Sequence, residues 1–534
     1  MVSDDTQAII DGANVKLEND GTLEAGARDT SFVGAFSGGA AISMRKGQSQ
    51  ATSAAFSGAV GVNKIDNTIG AVVKNSTITG LKNMKVTALS GSTSVAAGTG
   101  LSLTKNSQPG NNFAGGASVS VNLIDKDVTA LAENNTVSGV SADGKADVKL
   151  TAYESDLQVT GGVNANVATG GGTAVGGSIT VADIDNNLDA RIHGGSYTNI
   201  HTADAESLLA TRQITAAIST GVAVGGNGTN NAFTGAMIYN GLHNDVKAGI
   251  DGGARVTADT IAIRAHDTTS GSAEAKPYQD LLGDYRDHQQ FAEDAGIDTD
   301  GSSYYKDSYD KDNKDDRDAM TAGEAVDYDG NRGSLSVGAA FVVAGSSGNA
   351  AGAAVNVANL DNDFTAAIDN AVLTANSVSA KANADSLAVD VSTGVAAGTK
   401  DFGGMGSVTW QDQDNRIQSQ VTDSDLTTNN LKVKASSNAQ AVNVAGSVPT
   451  ARRQALGLPW PTMVWTTTSV PTCRRQCHGQ RCGRCGHRSG RPEYRQGLRH
   501  RRSCGSRQRH GSQRHRCGQP RRQRYGSSHR RDLG

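Results

Sequence analysis

Cysteine is absent from the first 472 residues of this 534-residue chain. That fits an exported protein that threads a translocation pore without disulfides, and it fits many cytosolic proteins too. Aromatic side chains make up only 4%, and there are eight prolines against 65 glycines. A chain of this length ordinarily forms several globular domains. Here the interior positions are Ala, Gly, Val and Ile, with few large residues, which suits a narrow core that grows along an axis. No apolar run reaches the ~18 residues of a transmembrane helix. Met1-Val2-Ser3-Asp4-Asp5-Thr6 lacks the basic start and apolar centre of a signal peptide.

Charge is divided between two regions. The net value of −3 conceals a tail, residues 451–534, with 21 Arg, no Lys and two acids, Glu493 and Asp532. The remainder holds 29 basic and 51 acidic residues, a balance of −22. A body this acidic does not suit phosphate backbones, so no nucleic-acid partner is expected.

What the chain has in abundance is repetition. Val60 to Val73 reads V-G-V-N-K-I-D-N-T-I-G-A-V-V, and the pattern recurs. Taking Asp66 as origin, column 0 holds Asp66, Asp125, Asp185, His243, Asp361 and Asp414. Column −8 is Gly58, Ala117, Gly177, Gly235, Ala353, Gly406. Column −6 is Val60, Val119, Ile179, Met237, Val355, Val408. Column −4 is Val62, Val121, Val181, Tyr239, Val357, Trp410. Columns +3, +5 and +7 begin at Ile69, Ala71 and Val73 and stay small or apolar. The intervals are 59, 60, 58 and 53 residues, with one double step of 118 between His243 and Asp361. A near-constant period of this length marks a solenoid or a domain array.

Within a repeat the periodicity is two, as in a strand. The two apolar runs are out of phase, with Asp and usually Asn between them. Asx residues favour turns, so each repeat is expected to contain strand, turn and strand, and the column-0 acids read as turn formers. Segments such as Val256-Thr257-Ala258-Asp259-Thr260-Ile261-Ala262-Ile263-Arg264-Ala265 supply a further half-buried strand. Val86-Thr87-Ala88 and Val433-Lys434-Ala435 end the same segment elsewhere. Ala8-Ile9-Ile10-Asp11-Gly12 resembles Ala248-Gly249-Ile250-Asp251-Gly252, so the chain is expected to begin mid-repeat, as a piece of something longer.

Residues 274–332 break the pattern with 17 acids, seven bases and six of the 11 Tyr. Removing them restores the period, which predicts a loop inserted at a solenoid corner, acidic and solvated. Tyr304, Tyr305 and Tyr309 are its candidate partner-binding residues. Asp310-Lys311-Asp312 and Asp327-Tyr328-Asp329-Gly330 lack the ligand alternation and closing Glu of an EF-hand, so no metal is assigned.

The tail resembles chemistry. Cys482-Gly483-Arg484-Cys485 near His487, with Cys473 and Cys477 upstream, looks like a zinc site. But 21 Arg without a Lys is what GC-rich DNA gives when read out of frame. Read from the third base of each codon, Met463-Val464 forces Gly and Trp465-Thr466 forces Asp. The hidden frame can read Tyr-Asn-Gly-Leu-Asp-Asn-Asn, against Tyr239-Asn240-Gly241-Leu242-His243-Asn244-Asp245 in the visible one. Pro459 and Trp460 force an apolar residue six codons earlier, as column −6 requires. Residues 449–534 therefore read as a frameshifted continuation of the array, expected to be disordered because burial cannot offset ordering entropy.

The Val-Asn-x-Ile-Asp-Asn units, Gly/Ala-rich strands and acidic Tyr-bearing insertion resemble the repeat regions of large filamentous surface adhesins of Gram-negative bacteria, the leukotoxin-like ones most closely. The resemblance covers residues 1–448. It implies export as an autotransporter or two-partner substrate, a place on the cell surface or outside the cell within a longer protein, and a host-cell or bacterial surface ligand. The alternative function is a β-helix polysaccharide lyase or hydrolase, which needs a local cluster that breaks the repeat. None is evident: the column-0 acids are equivalent to one another, His193 precedes Gly194-Gly195 and is given no role, and Gly170-Gly171-Gly172 lacks the Lys-Ser/Thr of a phosphate loop. The Gly-Gly-x-Gly-x-Asp nonapeptide of a calcium-stacked roll is also absent.

The expected fold is all-β: a parallel β-solenoid over residues 1–273 and 333–448, interrupted by the insertion 274–332. A string of small β-sandwiches is the alternative. Two to three coils per repeat would give a rod about 90 Å long at ~4.8 Å per coil. No enzymatic activity and no cofactor are expected.

Overall fold

The computed structural model describes residues 1–46, 52–106, 111–139, 144–225, 230–268, 272, 275–282, 333–399, 402–451 and 454–458. The chain divides into two units, Met1–Gln476 and Cys477–Gly534, and every described residue belongs to the first. Tyr304, Tyr305 and Tyr309, both calcium-like stretches, the six cysteines and almost all of the Arg-rich tail lie outside the described residues.

That unit is a parallel β-solenoid of two sheets. The strands are numbered in chain order. Sheet A contains β1 (Val2–Asp11), β3 (Ser53–Lys74), β5 (Asn112–Glu133), β8 (Gly172–His193), β10 (Asn231–Asp251), β13 (Asn349–Asp369), β15 (Phe402–Thr422) and β17 (Gln454–Leu458). Sheet B contains β2 (Asn14–Arg45), β4 (Thr77–Asn106), β6 (Thr136–Gly139) with β7 (Ala146–Thr169), β9 (Ser196–Val224), β11 (Arg255–Asp267) with β12 (Ser334–Ser346), β14 (Val372–Gly398) and β16 (Asp425–Ala451). Every ladder is parallel. Asp66 pairs with Asp125, Asp125 with Asp185, Asp185 with His243, His243 with Asp361, and Asp361 with Asp414. The six-copy columns are thus the rungs of one sheet. Ala8 pairs with Ala71, the column of Ala248, and Val433-Lys434-Ala435 pairs with Ala380-Lys381-Ala382 as expected.

Four expectations need correction. First, each repeat makes one coil, not two or three, because the ladder partner of every residue lies a whole repeat away. Eight rungs at ~4.8 Å make a stack about 34 Å deep rather than 90 Å. The strands are correspondingly long, 22 residues in β3 and 30 in β4, where five or six is usual.

Second, no turn occurs at Asp-Asn. β3 runs straight through Asp66 and Asn67, with Asp66 facing out and Asn67 buried facing in. The turn lies at column +9, where Asn75, Asn134, Asn370 and Asp423 have φ of 51°, 52°, 48° and 46°, and Gly194 and Gly252 both have 65°. The column admits Asn, Asp and Gly because these tolerate the left-handed region. Hydrogen bonds continue round it, with Asn75 N donating to Glu133 O at 2.9 Å and Asn134 N to His193 O at 2.8 Å.

Third, the insertion leaves from mid-strand, not from a corner. β9 pairs Leu209 with Asp267 at the end of β11 and Thr211 with Ser334 at the start of β12. One strand has been opened and re-entered in register. Asp267 pins the opening: its carboxylate is buried and accepts Asp385 N at 2.8 Å and Ser334 Oγ at 3.4 Å.

Fourth, the array does not stop at Val448. β16 continues to Ala451, and β17 pairs Gln454–Leu458 with Phe402–Gly406.

Candidate functional site

Two clusters of polar side chains interrupt the repetition, one between the sheets and one on the outer face of sheet B. Between the sheets runs column +1. Asn186 Nδ2 donates to Asn244 Oδ1 at 3.2 Å, Asn244 to Asn362 at 2.7 Å and Asn362 to Asn415 at 2.7 Å. An amide both donates and accepts, so a stack of Asn in register satisfies itself. In β3 Asn67 Nδ2 turns instead to Asp29 Oδ2 and Ser31 Oγ of sheet B, at 2.7 and 2.8 Å.

Lys126 occupies this column in β5 and is fully buried. Its Nζ donates to Ser90 Oγ at 2.5 Å and lies 3.4 Å from Asp156 and 3.7 Å from Glu154, both buried as well. An ammonium out of water requires such counter-charge. Burial pulls the Lys126 pKa down, but Asp156 and Glu154 outweigh it and raise the group above its ordinary value. Burial and the neighbouring Asp156 push Glu154 well above the carboxylate range despite Lys126. This is a charged plug in a polar column. It has no exposed surface to meet a substrate.

The second cluster holds α1 (Lys276–Leu282), the first described piece of the insertion, against the outer face of sheet B. Tyr278 packs on Tyr153 at a ring separation of 5.4 Å, beside Leu89, Leu208 and Leu282. Its hydroxyl donates to Glu206 Oε2 at 2.6 Å. Glu206 also meets Arg264 Nε at 3.1 Å, His266 Nε2 at 3.3 Å and Lys149 Nζ at 3.6 Å. Burial alone would raise the Glu206 pKa, but His266, Arg264, Tyr278 and Lys149 together hold it down at about 2. The chain crosses back over β9, β7 and β4, and Arg28 of β2 donates to Leu281 O. Residues 275–282 therefore run across the outer face of sheet B toward its first strand.

On the outer face of sheet A column 0 forms a line of acids, joined by Asp183, Asp127, Asp245 and Asp363 on neighbouring columns. Burial and the flanking Asp185 and Asp66 raise Asp125 above its usual value. His243 sits in the line with Nε2 3.8 Å from Asp183 Oδ1. His193 closes β8 with Nδ1 2.6 Å from Asp251 Oδ1. Among the described residues no three His, Cys, Asp or Glu side chains converge as a metal site.

Sequence reasoning noticed Lys126 only as the exception to the Asn column. The signal that completes it is Glu154 and Asp156, where the neighbouring rungs carry Ser90 and Leu209, and Ser92 and Thr211. The anchor at Glu206 and Tyr278 left no sequence signal, because it depends on where the insertion departs. No family model, curated protein or solved structure matches the chain.

Proposed function

We propose that this chain is a non-enzymatic structural and binding segment of an exported bacterial surface adhesin. The observation that carries the reading is that every repeat becomes one rung, so each face presents the same side-chain column many times over. Contacts that are weak singly gain strength when many copies engage together. The acidic body keeps such a surface soluble and self-repelling. The insertion, held at Asp267 and by α1, is the one large departure from the repeat, of the kind that carries recognition on a rigid scaffold. Its ligand would be a host-cell or bacterial surface molecule.

We also propose that the tail is a frameshifted continuation of the array. The register of β15 with β17 sets Gly406 against Leu458. The same offset of 52 residues added to Asp414 gives position 466 in the sequence, where the alternative frame forces an Asp.

Detection of the parent protein on intact cells by antibody raised against this chain, with loss of cell attachment when the repeats are deleted, is the expected result. An absence of surface protein would overturn the reading. So would polysaccharide turnover by the purified chain that one Asp substitution abolishes. Sequencing the DNA across codons 445–455 tests the tail; an uninterrupted frame together with stoichiometric zinc binding would refute the frameshift.

A further inference from the structure

The apolar columns −6 and −4 face outward from sheet A, although the sequence would ordinarily place such residues in a core. Val60, Val62, Ile179, Met237, Val408 and Trp410 are 39–65% exposed, and Phe56, Val175 and Phe233 of column −10 are 37–67% exposed. With ~150–250 Å² on a whole aromatic side chain, these nine leave on the order of 800 Å² of apolar surface on one face. That exceeds the largest patch of an ordinary monomer and equals what one partner buries in a stable interface.

We propose that two copies of this chain pair through the outer faces of sheet A, with their strands antiparallel. Shape and charge both select this occupant and orientation. Columns −6 and −4 form ridges, and column −8, all Gly or Ala, forms a trough beside them. A Cβ added at Gly58 or Gly406 would meet nothing within 4 Å in the chain itself, so the trough is not required by the chain's own packing.

A two-fold axis along the stack, midway between columns −8 and −6, lays each ridge in the other copy's trough, as a self-complementary interface requires. Column −4 then lies over column −10, setting Val62 against Phe56 and Trp410 against the Phe402 ring that covers Gly404. The two acid lines emerge at opposite margins, about 46 Å apart at ~3.3 Å per residue, far beyond the ~8–10 Å screening length. An axis along the strands would instead stack acid line on acid line about 10 Å apart.

Sedimentation of the full chain under reducing conditions tests the proposal, with a particle of twice 54.9 kDa expected. The pair Ile179→Lys and Met237→Lys points away from the core, so it should leave circular dichroism unchanged while weakening the dimer at least 100-fold. Gly58→Leu with Gly406→Leu, which fills the trough, should weaken it at least tenfold. Asp125→Lys should leave it unchanged; a tighter dimer would refute the antiparallel orientation. Val163→Lys with Ile218→Lys, on the outer face of sheet B, should also leave it unchanged. The proposal falls if the wild-type chain is monomeric at 100-micromolar concentration or if only the sheet B pair dissociates it. It falls equally if a monomer binds phosphatidylcholine vesicles and loses that binding in Ile179→Lys/Met237→Lys.

Discussion

Each coil has two halves built on opposite plans. In the half next to the column +9 turn, Ile69, Ala71 and Val73 of sheet A meet Ile78, Leu81, Met84, Val86 and Ala88 of sheet B, all with no exposed surface. Charged residues line the outside, and burial of apolar area holds the sheets together. In the other half the interior is Ser, Thr, Asn and Gln, passing to Ala farther along, and the outside is Val, Phe and Met. The sheets there are joined by hydrogen bonds. Asn122 Nδ2 donates to Ser94 O at 3.0 Å, Gln158 Nε2 to Asn122 O at 2.9 Å, and Gln213 Nε2 to Gln158 Oε1 at 2.9 Å and Gly241 O at 2.8 Å. Each ladder carbonyl has a second lone pair, and these side chains use it. Small residues bring the sheets close enough: a Cβ at Gly162 would lie 2.4 Å from Ser178 Oγ. The same parallel ladder can therefore be filled by either plan, provided the far face of the second plan finds cover.

The junction between the halves is where the comparison breaks most readily. Lys126→Asn restores the ladder residue but strands Glu154 and Asp156, and should cost about 3–5 kcal/mol. Adding Glu154→Leu and Asp156→Thr, which copies the next rung, should recover that loss or leave a net gain. Urea titration of the single and triple variants checks both.

Asp390, buried in the polar half, has its pKa pushed up to about 8 by desolvation, only partly offset by Asn356. A carboxyl raised in the folded state destabilises the fold as pH climbs from its unfolded value near 4 to about 8, where the penalty is complete. Asp390→Asn should raise stability by a few kcal/mol above pH 7 and have no effect below pH 4. Melting temperature against pH should show that divergence.

Glu206 runs the other way. Its depressed pKa contributes stability above pH 4.5 that is lost as pH falls toward 2. Glu206→Gln at pH 7 should loosen α1 by about 2–3 kcal/mol, read as faster amide exchange across residues 276–282 with the rungs unaffected. Asn244→Ala, which cuts one ladder amide, should cost about 1–2 kcal/mol on chemical denaturation. Deleting residues 268–332, so that Gly333 takes the place Ala210 holds in β9, should cost least, since β11 and β12 then rejoin in register. Loss of folding in that variant would show that the insertion supports the sheet.

The repeat, its register and the parallel ladder were legible because each column returns the same residue type at Asp66, Asp125 and Asp185. The direction of the faces was not. An apolar run on even columns followed by one on odd columns reads as a change of strand, because the usual plan buries every apolar run. One continuous strand satisfies both runs only if its first half is inverted. The turn was also misplaced: Asn67 and Asn75 are both Asn, and residue type alone does not separate a buried ladder amide from a left-handed corner. The number of coils per repeat followed from assuming strands of ordinary length.

One coil per repeat has a mechanical consequence. A load spread over a face is shared by a whole rung, 22 paired residues between β3 and β5 and 23 between β4 and β7. A load applied through the chain ends meets those bonds one at a time, from a corner inward. Each rung so peeled replaces ~4.8 Å of stack with a free strand of about 60 residues, which extends to roughly 200 Å. Under tension along its backbone the array lengthens in large steps, the longest at the rung that carries the insertion, dissipating work at each, while the rungs not yet reached keep their faces intact.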